Sequence, residues 1–62
     1  MELKEMLKKL YQNRFEYFSV HEADFIEKMH NKIVYANRLP DGTEPQTIRK
    51  LFQLFVKRSL GS

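Results

Sequence analysis

The sequence predicts an all-α fold, a small three-helix bundle, and three observations carry that prediction. Apolar residues recur at helical spacing in three separate stretches. Each stretch is bounded by capping or turn chemistry rather than by strand signals. Only two glycines and two prolines interrupt the 62 residues. A chain this short makes a single domain over residues 1–62. Three amphipathic helices within it must bury their apolar faces against one another.

The first helix is expected at about residues 2–13. Leu3, Met6, Leu7 and Leu10 repeat at i, i+3, i+4, i+7, with Tyr11 beside them. Glu2, Glu5, Lys8, Lys9 and Gln12 fill the other faces and favour helix. The aromatic stretch Arg14 to Phe18 shows no clear period. Ser19-Val20-His21-Glu22 then has the form of a capping box, serine accepting from the glutamate amide and the carboxylate reaching back. It opens a second helix over residues 20–37, whose buried stripe is read as Phe25, Ile26, Met29, Ile33 and Ala36.

Leu39-Pro40-Asp41-Gly42 is the strong turn signal, because proline stops the preceding helix and Asp-Gly tolerates positive φ. Thr43-Glu44-Pro45-Gln46 reads as a second capping box with proline in the first turn. The third helix is expected over residues 44–59 with Gly61 as a stop, and Leu60-Gly61-Ser62 is either native or a cloning remnant. The expected core joins Leu7, Leu10, Phe25, Ile26, Met29, Ile33, Ile48, Leu51, Phe52 and Phe55. So small a core is only marginally stable, and self-association or a partner would help to hold it.

Several functional classes find no support. Without cysteine there is no disulfide framework and no thiolate metal site, which fits a reducing cytoplasm. No apolar run approaches the roughly 20 residues of a membrane span, and the first residues lack the stretch of a signal peptide. An enzyme is not expected. His21 and His30 are nine residues apart with no companion ligands. Glu22, Asp24 and Glu27 point to different sides of one helix. Ser19 is a cap, Ser59 and Ser62 have no base arrangement, and no glycine-rich phosphate loop occurs. No metal and no cofactor is expected.

Charge is the one uneven property. Residues 1–37 carry six basic and six acidic side chains, whereas residues 38–62 carry five basic and two acidic ones. The basic residues of that second part are Arg38, Arg49, Lys50, Lys57 and Arg58, and no acid follows Glu44. Around the third helix, Arg49, Gln53, Lys57 and Lys50 fall between about 100° and 200° from Ile48, opposite the apolar face. Arg38 lies just before the turn and could extend this face. Two readings are open, an ordinary solvated polar face or a binding face for a polyanion or an acidic protein. Tyr17 and Tyr35, read as outward-facing, suit stacking on single-stranded bases or a protein interface equally well. A helix-turn-helix fits poorly: the turn is too long, and Glu44, Pro45 and Gln46 occupy the first turn of the would-be recognition helix.

From Phe15 onward the chain resembles a short helical pattern of phage and plasmid proteins of DNA metabolism. The residues concerned are Phe18, Glu22, Phe25-Ile26, Met29, Thr43-Glu44-Pro45-Gln46, Ile48, Leu51 and Lys57-Arg58. As a free-standing chain it most resembles the small accessory proteins encoded beside the UvsW helicase of T4-like bacteriophages. The likeness covers about two thirds of the chain and departs from the pattern in the longer Leu39–Gly42 turn. It implies a bacteriophage protein of the recombination, repair and replication neighbourhood, and supplies no catalytic residues. The function expected is that of a non-enzymatic accessory protein with weak, sequence-independent nucleic-acid binding, or alternatively a protein-interaction module that docks on a larger partner such as a helicase.

Overall fold

In the computed structural model, which describes residues 1–61, the chain is all-α, with no strand among the described residues. Helix α1 spans Leu3–Gln12, α2 Arg14–Tyr17, α3 Val20–His30 and α4 Glu44–Gly61, and a π-helical turn, Asn31–Tyr35, extends α3. The three long helices match the three expected. The short α2 is an addition: the aromatic stretch read as irregular is one helical turn, and four residues are too few to display a period. Gly61 closes α4 from inside the helix, and Ser62 lies outside the described residues.

Local chemistry sets the junctions. Asn13 ends α1, its side-chain amide donating to the Lys9 carbonyl at 2.9 Å. After α2 the backbone is extended at Phe18 and Ser19. The Ser19 capping box then forms as expected. The Glu22 amide donates to Ser19 Oγ at 3.3 Å, and the Ser19 amide donates to Glu22 Oε1 at 2.9 Å.

Beyond His30 the helical period changes. The Ala36 amide donates to the Asn31 carbonyl at 3.0 Å, five residues back instead of four. Asn37 then turns the chain in the left-handed region at φ +55°, which asparagine tolerates better than most residues. Two expectations are corrected here. The second helix does not continue as α-helix to residue 37, and Ala36 is exposed rather than part of the buried stripe. The wider turn rotates the residues after Asn31 away from the α period.

The start of α4 also differs from the reading. Thr43 and Gln46 do not make the reciprocal box. Instead the Asp41 amide donates to Glu44 Oε1 at 2.7 Å, and the Glu44 amide returns to the Asp41 carbonyl at 3.0 Å. Lys32, from the π turn, donates to Asp41 Oδ2 and Glu44 Oε1, both at 2.9 Å. A lysine from another element thus braces the Glu44 carboxylate that folds back. Gly42 has the expected positive φ, +55°.

Helix α1 packs against both α3 and α4. Contacts of Tyr11 with His30 and of Lys4 with Asn37 run it antiparallel to α3. Leu7, Leu10, Ile26 and Ile48 are wholly buried, and Met29, Ile33 and Leu51 complete the cluster. Each such side chain contributes on the order of 1.5–3 kcal/mol. Phe25, Phe52 and Phe55, expected in this core, are half-buried and pack around its rim. Where three thin helices meet there is room for branched aliphatics at the centre but not for rings as well. The eight-residue connection 36–43 and the placement of α1 leave no helix-turn-helix.

Candidate nucleic-acid interface on the last helix

The apolar face of α4 is fixed by Ile48 and Leu51 against α1. Its opposite face must therefore meet solvent, and Arg49, Lys50, Gln53 and Lys57 are all exposed there. Lys50 and Lys57 stand two turns apart, roughly 10 Å along the axis. With Gln53 and Leu54 between them they line a shallow depression of about 350 Å³. Among the described residues no carboxylate lies within 4.0 Å of Arg49, Lys50 or Lys57. Their positive charge is uncompensated.

Arg58 behaves differently although it follows Lys57 directly. Its guanidinium donates to the Tyr17 carbonyl at 2.6 Å and to Glu22 Oε1 at 3.4 Å, and sits 5.5 Å from the Phe18 ring centroid. It ties the end of α4 to the α2–α3 junction rather than joining the basic face. Glu22 is held below its ordinary value of 4.5, first by the Ser19 amide and then by Arg58. Glu44 is likewise lowered, first by the Asp41 amide and then by Lys32, while Lys32 is raised by Glu44 and Asp41.

Arg38 is exposed on the segment after the π turn, beside the contact between Lys4 and Asn37. The structure groups Arg49, Lys50 and Lys57, engages Arg58 elsewhere and sets Arg38 on another element. Of the two tyrosines read as outward-facing, Tyr35 is 77% exposed, whereas Tyr17 is half-buried and edge-on to Phe55 at 5.5 Å. His21 is exposed and His30 is buried beneath Tyr11. Among the described residues no three His, Asp or Glu side chains gather to hold a metal ion.

Sequence reasoning passed over a second group, built around Tyr11. The Arg14 guanidinium lies 3.7 Å from one face of the Tyr11 ring and 4.4 Å from the Phe15 ring. The His30 imidazole stacks on Tyr11 at 4.0 Å with 10° between planes, and Tyr35 meets His30 edge-on at 5.3 Å. The nearness of Tyr11 to Arg14 was legible as an i, i+3 pair. The link across to His30 and Tyr35 was not.

Fold and face together define a small helical bundle that presents an unneutralised basic surface on its last helix. No protein family, curated protein or solved structure matches the chain. No helix of the described residues is long and apolar enough to cross a membrane.

Proposed function

We propose that the chain is a non-enzymatic accessory module that binds nucleic acid weakly and without sequence preference through the outer face of α4. One observation carries this reading: Arg49, Lys50 and Lys57 share that face with no carboxylate within 4.0 Å among the described residues. A merely solvated helix face usually interleaves both signs. Lysines two turns apart meet different phosphates of a strand, which gives affinity but reads no bases. A place in phage DNA recombination or repair adds to this reading only through the resemblance. Four of the residues carrying that likeness, Ile26, Met29, Ile48 and Leu51, are buried core residues.

Three cations correspond to a salt slope of about −2 to −3 in log–log terms and an affinity in the range of ~10⁻⁴–10⁻⁶ M. Fluorescence anisotropy with oligonucleotides across a salt series measures both. Lys50→Glu with Lys57→Glu should abolish most binding and flatten the slope, while the melt is unchanged. No binding by the wild type at ~100 μM protein and low salt would overturn the reading. A second reading, docking on a larger protein such as a helicase, is favoured by Val56 and Leu60, which are exposed along the edge of the same face. Such docking would be far less sensitive to salt.

A further inference from the structure

Seven of the eleven basic side chains have no carboxylate within 4.0 Å among the described residues. Three of them form the α4 face. Another three, Lys4, Arg14 and Arg38, lie along the seam between α1 and the end of α3, where the Arg14 guanidinium rests on the Tyr11 and Phe15 rings. Lys4 donates to the neutral side chain of Asn37, two residues past Tyr35, and Arg38 follows Asn37. Lys8, one turn along α1 from Lys4, is exposed and meets Glu5 only at 3.8 Å.

Tyr35 is the unusual member of this group. In a continuous α-helix it would point away from His30, since five residues turn the helix by about 140°. The π turn brings the fifth residue back over the first, so the Tyr35 ring stands edge-on against His30 while remaining 77% exposed. Behind it, the stack of His30, Tyr11 and Arg14 fixes His30 in place. A large ring is thus held against a backing on the surface by an irregular helix turn of the kind that recurs at functional sites. Burial does not explain it.

We propose that Tyr35 is a stacking platform for an unpaired base, with Lys4 and Arg38 beside it contacting the flanking phosphates, so that the protein prefers single-stranded nucleic acid to duplex. A base offers a π-face to the ring only when it is outside a duplex, and stacking of this kind tolerates any base. The inference rests on the nucleic-acid reading of α4 and adds a second, strand-selective contact to it.

The test compares a single-stranded oligothymidylate with a duplex of equal length by anisotropy at low salt. Tyr35→Ala should weaken single-strand binding roughly five- to hundredfold and leave duplex binding within about twofold. Tyr35→Phe, which keeps the ring, should bind as the wild type does. The chain has no tryptophan, so Tyr35→Trp places a unique fluorophore on the platform, and its emission should be quenched by the single strand and not by the duplex. If Tyr35→Ala binds single strands as tightly as the wild type, while Lys50→Glu with Lys57→Glu does not, the platform is wrong and the α4 reading stands. Failure of the wild type to bind either oligonucleotide overturns both.

Discussion

Lys57 and Arg58 are neighbours in the chain and carry the same charge, yet the structure uses them in opposite ways. Lys57 is exposed beside Lys50, with no acid within 4.0 Å among the described residues. Arg58 turns back over the body of the protein to the Tyr17 carbonyl and Glu22. Lys32 repeats the second pattern at the other end of α3, bridging Asp41 and Glu44. Arg58 and Lys32 are therefore clamps that fasten one element to another, whereas Arg49, Lys50 and Lys57 project a field. A count of charge along the chain cannot separate them, because the acids that neutralise the clamps lie 9 to 36 positions away.

The most severe way to break the comparison is to remove the surface on which both classes are mounted. Leu10 is wholly buried on α1, the helix shared by the α3 and α4 contacts. Leu10→Ala should cost about 2–5 kcal/mol, enough to unfold most of so small a domain. Far-UV circular dichroism and thermal melting measure this, and a native melt would show that α1 is not the common support.

Exchanging charge at adjacent positions sharpens the comparison. Arg58→Gln removes bonds to a carbonyl and a carboxylate at a partly exposed site, at about 1 kcal/mol, which in a domain of this size lowers the Tm by about 4–8 °C. Its nucleic-acid affinity should stay close to that of the wild type. Lys57→Gln should do the reverse, leaving the melt unchanged and weakening binding. Equal loss of binding in both variants would return Arg58 to the basic face.

The smallest expected effect is on pH dependence. Glu22 and Glu44 are held below their ordinary value of 4.5 in the folded protein. A lowered carboxylate stabilises the fold above that value and stops doing so as pH falls through the lowered one. The raised Lys32 contributes fully below its ordinary 10.5 and is lost only above it. Melting temperature should therefore be level through neutral pH and fall below about pH 4.5. Glu22→Gln should remove part of that fall, and a variant that keeps the full acid dependence would show that Glu22 is not a contributor.

Much of the fold was legible because it follows from local rules. The aliphatic spacing of Leu7, Leu10, Ile26, Met29, Ile33, Ile48 and Leu51 marks three helices and the faces they bury. The Ser19–Glu22 box depends only on residues three apart, and it forms. So does the positive φ of Gly42. The wheel that placed Lys50 and Lys57 on the outer face also puts Arg58 at about 280° from Ile48, close to Leu51, so its inward turn could have been read from periodicity. The exposure of Arg49, Lys50 and Lys57 is the part of the candidate site that the sequence determined, since a helix with one buried stripe must turn the other face to water.

Tertiary structure decided the rest. Glu44 rather than Gln46 folds back at the start of α4, and Lys32, a charged donor from another element, braces its carboxylate. The π turn moved Ala36 out of the stripe and brought Tyr35 over His30, a change of register that composition does not encode. The rings of Phe25, Phe52 and Phe55 were displaced to the rim because three helices enclose too little volume for them. Tyr11 met His30 only when α1 packed antiparallel to α3. Periodicity says which face of a helix is buried; which residues of two faces touch depends on how the helices cross, and that is fixed by the packing of the whole chain.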